Sequence, residues 1–278
     1  MSKTPKISLA LGGGGARGLA HIVVLEALDD LGVRPTSIAG TSIGAIMGAA
    51  YAGGLSGRDI RDITLQRFSN RAKVVQLLWQ MRGKRKLPKL SITDIDPLAV
   101  LESFIGDLIP ASFEELQIPL CVIASDFYGW RETIMRSGDL HRAVAASIAI
   151  PILFTPVTID GRVLIDGGFV NPLPFDRVEN GNITIAVDVT GGPQEPAMQS
   201  GSDIPLPGMR EMVFGTTQLV MQSITNEKLK SRTPDILIRP PIEQFGVLEF
   251  LKVKEILEAA ESERDNIKRQ ITYELDRL

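Results

Sequence analysis

The apolar positions of this chain fall into short runs and helical stripes that alternate along most of its length. Ile7 to Leu11 reads as a buried strand and runs straight into Gly12-Gly13-Gly14-Gly15-Ala16-Arg17-Gly18. Leu19, Ile22, Val23, Leu28 and Leu31 then recur at helical spacing until Gly32 and Pro35 end the pattern. Ser37-Ile38-Ala39 supplies a second strand, and Ala45, Gly48, Ala49, Ala50 and Ala52 a closely packing helix. Ser56-Gly57-Arg58-Asp59 caps a polar helix reaching about Phe68, and Asp96-Pro97 opens another. Ile118 to Ser125 reads as a buried strand, and Asp139 caps a helix over Leu140 to Ile148 that Pro151 brings to an end. Val157 to Ile165 forms a hairpin around Asp160-Gly161, and Ile183 to Val189 a further strand. After a Gly/Pro/Ser-rich loop to Pro207 come a helix over about Met209 to Leu229, a strand from Asp235 to Arg239 and a terminal helix from about Phe250. Strands alternating with helices predict an α/β fold, a mostly parallel sheet with helices on both faces, and no internal repeat is evident.

Composition narrows this picture. With 278 residues, 44% of them hydrophobic, the chain buries a substantial core. A net charge of −3 gives no global pull towards nucleic acid. Cys121 is the only cysteine, which excludes an intrachain disulfide; in an apolar strand pattern it reads as a small core residue, and the chain as one from a reducing, cytoplasmic compartment. Two apolar stretches stop short of export or membrane signals. Lys3 and Lys6 precede an apolar run that four glycines and Arg17 interrupt, and the uncharged stretch from Ala143 to Ile159 is too short to span and carries two prolines. The expectation is a soluble protein.

The chemistry gathers on three strand ends. Gly40-Thr41-Ser42-Ile43-Gly44 has the form of a nucleophile elbow: the serine sits on a strained strand-to-helix turn, with glycine two residues away on each side where larger side chains would collide. The glycine loop admits three readings. Gly13, Gly15 and Gly18 fit a dinucleotide fingerprint, but the acidic ribose ligand is missing at the end of the next strand. A phosphate-binding Walker loop needs Lys and then Ser or Thr where Leu19 and Ala20 stand. An oxyanion hole, formed by glycine amides facing a serine on the neighbouring strand end, uses both motifs at once and is preferred. A side chain at Gly14 is then expected to lower turnover more than stability. The third strand end carries Asp166-Gly167-Gly168, which can project towards the same edge as Ser42. Neither His21 nor His141 follows this aspartate in the serine, aspartate, histidine order, so a carboxylate acting directly on Ser42 is the economical base.

The motifs Gly13-Gly14-Gly15-Ala16-Arg17-Gly18, Gly40-Thr41-Ser42-Ile43-Gly44 and Asp166-Gly167-Gly168, with Ala146-Ser147-Ile148-Ala149-Ile150-Pro151 and Asn171-Pro172, resemble those of bacterial patatin-like phospholipases related to neuropathy target esterase. The resemblance implies a three-layer α/β/α patatin-like fold and hydrolysis of acyl esters, often of phospholipids or lysophospholipids. It implies Ser42 as nucleophile, Asp166 as base, the amides of Gly13, Gly14 and Gly15 as oxyanion hole, and no metal or other cofactor. Arg17, Gly18, Gly40, Gly44, Gly167 and Gly168 support the site, Arg17 by steadying the loop or attracting an anionic head group; Gly168 stands where many members have alanine. One domain over residues 1–278 is expected, with a motif-bearing core over about 6–190 and a helix-strand-helix extension over about 207–278. An acyltransferase and a non-enzymatic lipid-binding regulator are the alternatives.

The segment from Arg71 to Lys89 holds seven basic residues and no acid, interleaved with Val74, Val75, Leu77, Leu78, Trp79 and Met81. It reads either as a solvated helix and loop or as an interfacial flap touching an anionic membrane at the inner face. The partners expected are thus a lipid or small ester and such a membrane, with no nucleic acid.

Overall fold

The strand Ile7–Leu11 (β1) lies at the centre of a mixed sheet because both of its faces are buried. Side chains alternate between the faces of a strand. Leu9 and Leu11 point to one core together with Ile38, Leu120, Val122, Ile185 and Val187, while Ala10, Ala39, Cys121, Ile123 and Ala186 share the other. The computed structural model describes residues 5–68, 95–178, 181–192 and 206–278. The basic segment from Arg71 to Lys89 lies outside them.

The remaining strands are β2 (Ser37–Thr41), β3 (Leu120–Asp126), β4 (Arg131–Met135), β5 (Val157–Ile159), β6 (Arg162–Asp166), β7 (Ile183–Val187) and β8 (Ile236–Ile238). They run in the order β5-β6-β3-β2-β1-β7-β8, with β4 paired to β3. The pairings of β1 with β2 and β7, of β2 with β3 and of β7 with β8 are parallel; β3 with β4, β3 with β6 and β5 with β6 are antiparallel. The fold is thus the three-layer α/β/α arrangement expected, with an antiparallel corner. That corner contains β4, which the alternation of helices and strands did not predict because its exposed, charged residues carry no buried-strand pattern.

The bulky face is covered by α1 (His21–Asp30), α2 (Ile43–Ala52), α3 (Gly57–Phe68), α4 (Pro97–Leu101), α5 (Leu140–Ser147), α7 (Val253–Glu261) and α8 (Arg264–Asp276). The predicted terminal helix is two helices, divided at Ser262 and Glu263. On the alanine-rich face lie Leu173, Phe175 and Val178, with Leu229 of α6 (Met209–Ser231) packed against them. Small residues on that face let the 170–178 segment approach the sheet closely.

Two features of the topology place the site. The chain moves from β1 to β2 and β3 on one side and later to β7 and β8 on the other, so the strand order reverses at β1, and such a reversal leaves a crevice beyond the strands' carboxyl ends. In addition, β4 holds one edge of β3 from Val122 to Asp126, so β2 and β6 must share the other edge in succession. Thr41 ends β2 opposite Ile123, and Asp166 ends β6 opposite Ala124. The two strands meet head to head, and the residues at their tips are Ser42 and Asp166.

Candidate active site

Ser42 leaves β2 with φ 54° and ψ −125°, a left-handed backbone that non-glycine residues rarely adopt, and caps the N-terminus of α2. Close packing enforces this turn. A Cβ built on Gly44 would stand 2.1 Å from Leu11 O, so only glycine lets α2 start this near β1, and one built on Gly18 would stand 2.1 Å from Ile43 Cγ2. Gly40 and Gly167 are similarly pressed, against Gly44 O and Ile123 O. Ser147 at the end of α5 locks the arrangement: its hydroxyl accepts from the Ser42 amide at 2.8 Å and donates to Ile123 O at 2.5 Å.

The Ser42 hydroxyl donates to Asp166 Oδ2 at 2.6 Å. The other carboxylate oxygen accepts from the Gly168 amide at 2.7 Å, and Ser125 Oγ donates to the Asp166 carbonyl at 2.7 Å. Burial pushes the Asp166 carboxyl up to about 6, against the hydrogen bonds from Ser42 and Gly168 that favour its charged form. No charged side chain stands among these influences. Asp166 is therefore an oriented carboxylate, more basic than one in water, in contact with a hydroxyl on a strained turn.

The glycine loop meets this pair from β1. The Gly12 amide donates to Val187 O at 3.0 Å and the Gly13 amide to Pro172 O at 2.9 Å, so the Gly13 N–H, expected to face an oxyanion, is committed within the fold. The amides of Gly14 and Gly15 have no hydrogen-bond partner among the described residues, and both glycines line a cleft with Ser42 and Asp166. Arg17 is buried and faces away from it. Its guanidinium donates to Phe245 O and Thr190 O, each at 2.6 Å, and to Glu243 O at 3.4 Å, while desolvation lowers its pKa. Through these carbonyls it ties the loop to distant segments of the chain.

His21 is fully buried, its Nε2–H donating to Gly12 O at 2.9 Å, and burial lowers its pKa to about 4. His141 Nε2 lies 3.3 Å from Ile109 O. Neither ring bonds to Ser42 or Asp166. Among the described residues no three His, Cys, Asp or Glu side chains converge as metal ligands would.

The cleft encloses about 460 Å³ of empty space, part of it open to solvent. The sequence did not reveal most of its walls: Ile150, Phe169, Thr190 and Val247, and from α6 Phe214, Thr217, Gln218 and Met221. One signal was present. From Met212 to Asn226 the helix carries no charged residue, unusual for an element with so much exposed surface. Its C-terminal half is pinned by Lys228, whose ammonium donates to Asn171 Oδ1, Leu173 O and Asp176 Oδ1. Asn171 in turn accepts, through its carbonyl, the Thr41 hydroxyl at 2.7 Å beside the elbow.

A serine elbow at the switch point of a three-layer α/β/α sheet, with a carboxylate against the serine, defines the chain as an α/β protein with a candidate site at the strand ends. More narrowly, it belongs to the patatin-like phospholipase family, whose model matches residues 9–178. It is 35% identical over 222 residues to uncharacterised NTE family proteins of Mycobacterium bovis and Mycobacterium tuberculosis, an alignment covering 78% of this chain and 58% of theirs. It is 29% identical over 273 residues to lysophospholipase NTE1 of Yarrowia lipolytica, covering 90% of this chain and 18% of that one. The chain thus spans less than two thirds of the length of these relatives. Among solved structures, VipD from Legionella pneumophila shares the fold, with a TM-score of 0.52 at 14% identity over 96% of this chain and 67% of that one.

Proposed function

We infer that this chain is a serine hydrolase of lipid acyl esters, acting through Ser42 and Asp166. The observation that carries the reading is the 2.6 Å hydrogen bond from the Ser42 hydroxyl to a buried carboxylate, made from a positive-φ elbow. Family membership and the lysophospholipases among its relatives support phospholipid or lysophospholipid as the substrate class.

In the proposed mechanism Asp166 accepts the Ser42 proton as Oγ attacks the ester carbonyl carbon. The carbonyl π electrons move to oxygen, and the amides of Gly14 and Gly15 receive the oxyanion; a donor of this kind is typically worth about 100- to 1,000-fold in rate. As the tetrahedral intermediate collapses, Asp166 returns its proton to the departing alkoxide and an acyl-serine remains. Water then gives a proton to Asp166 and attacks the acyl carbon, and Ser42 Oγ leaves with that proton as the fatty acid departs. One carboxylate serves both halves because the strand-end geometry keeps it against Ser42 throughout. Contact with an anionic membrane through Arg71 to Lys89 belongs to the same proposal, supported by seven cations among apolar residues.

The test is labelling with a fluorophosphonate probe and hydrolysis of short soluble esters and lysolipids. Wild type is expected to label and turn over, and folded Ser42→Ala to do neither; equal labelling of the two would move the nucleophile elsewhere.

A further inference from the structure

Among the described side chains of α6, Met221 and Thr225 are the buried ones, and Met221 lines the cleft that holds Ser42 and Asp166. A Cβ built on Gly168 would stand 2.7 Å from Met221 Cε, 3.0 Å from its Sδ and 3.0 Å from Asp166 Oδ1. One built on Gly13 would stand 3.3 Å from Met221 Cε and 3.3 Å from Ser42 Cβ. The thioether tip therefore fills a notch between two glycines, beside both members of the pair, and forms part of the cleft wall with Phe169 and Phe214. Carbon atoms pack at about 3.5–4.0 Å, so a side chain at residue 168 and the Met221 tip cannot hold their present places together.

We propose that Met221 determines which acyl groups the site accepts, favouring straight chains over those branched next to the carbonyl, and that residue 168 is glycine because Met221 occupies the space of its side chain. The inference rests on Ser42 being the acyl-accepting nucleophile. In that role the ester carbonyl carbon lies one bond from Ser42 Oγ, and the proposal sets the acyl α-carbon on the Met221 side of it, so that a branch there meets the Met221 tip. A straight chain presents only hydrogens there. An α-methyl group competes for volume with Cε. Methionine is unbranched and adaptable, so it tolerates small displacements by a linear chain while still penalising a branch. One methyl group in such a pocket is worth about 10- to 200-fold in selectivity.

The experiment compares kcat/KM for p-nitrophenyl butanoate and p-nitrophenyl 2-methylbutanoate in wild type, Met221→Ala, Met221→Leu, Gly168→Ala and the double variant Gly168→Ala with Met221→Ala, folding being checked by circular dichroism. The preference for the straight ester is expected to drop at least about tenfold in Met221→Ala and to stay within a few-fold of wild type in the volume-conserving Met221→Leu. Gly168→Ala is expected to lose turnover on both esters, and removal of the Met221 tip in the double variant to restore most of it. Should Met221→Ala fail to fold, Met221→Val, whose side chain ends short of the notch, takes its place under the same criteria. An unchanged ester preference, or no rescue in the double variant, overturns the inference while leaving the hydrolase intact. Absence of ester hydrolysis in folded wild type overturns the reading of Ser42 and this inference with it.

Discussion

At the scale of single residues, Asp166 is subject to opposing influences: burial favours its neutral form, and the Ser42 hydroxyl and Gly168 amide favour its anion. With the balance near 6, the carboxylate proposed to accept the serine proton is present above that pH and lost below it. kcat/KM for a soluble ester is therefore expected to fall on the acid side with a midpoint near pH 6, and a profile flat to pH 4 would remove Asp166 as the base. Asp166→Asn should lose about 100- to 10,000-fold in turnover, the usual worth of a general base. Folded His21→Ala and His141→Ala should keep most of it, since His21 is held neutral against Gly12 O and His141 lies by Ile109 O. Stability runs the other way. A carboxyl whose pKa is raised by folding stabilises the fold fully below its unfolded value of 3.8, and that contribution is lost as pH rises through about 6. Thermal melts should thus show Asp166→Asn gaining on wild type by about 1–3 kcal/mol above pH 7, with the gain vanishing below pH 4.

At the scale of elements, the glycine loop is shaped by chain far from it. Ala16 donates to Val247 O at 2.8 Å, Arg17 binds the carbonyls of Thr190, Glu243 and Phe245, and Gly13 donates to Pro172 O. Three segments thus hold the two open amides in place. A Cβ on Gly14 would stand 2.2 Å from Val189 O, a backbone atom with little freedom to withdraw. Gly14→Ala should therefore lower melting temperature and turnover together, in place of the expectation from sequence that turnover would fall more than stability. Arg17→Met should destabilise by about 3 kcal/mol, because it strips donors from buried carbonyls at once. A melting temperature within 2 °C of wild type would show that this anchor is dispensable, given that about 1 kcal/mol shifts a chain of this size by roughly that amount.

For the whole molecule, the chain beyond the family-matched region is part of the fold. Val253, Ile256, Leu257, Ala260, Ile267 and Ile271 are buried on the tail helices, which pack on α1 and α3. Arg61 and Arg264 bridge Glu26 and Glu261, and Arg264 also reaches Asp30. Truncation after Arg239 removes this layer together with the Val247 and Phe245 carbonyls. Its expected product is insoluble or lacks the cooperative melt of the full chain; an active, folded truncation would make the tail a separate unit. The basic segment gives a second expectation at this scale. Each cation near an anionic surface is worth about 1 kcal/mol, so changing Lys84, Arg85 and Lys86 to Gln should weaken binding to anionic liposomes by about two orders of magnitude at low salt. Added salt should erase the difference, and a soluble ester should be hydrolysed as before. Equal liposome binding at low salt would return the segment to a solvated surface.

The sequence by itself determined the β1-α1-β2-α2 order, the elbow at Ser42, and the strand end at Asp166, because side-chain periodicity, glycine at crowded turns and strand-breaking residues are properties of neighbouring positions. Only the tertiary structure decided what each of these groups meets. Strand sharing along β3 brings Asp166 to Ser42, 124 positions earlier in the chain. The Pro172 carbonyl takes the Gly13 amide and leaves Gly14 and Gly15 open, and α6 closes the cleft with side chains that no motif marks. Hydrogen-bond donors and pocket walls are settled by whichever distant segment packs against them, and local pattern carries no record of that choice.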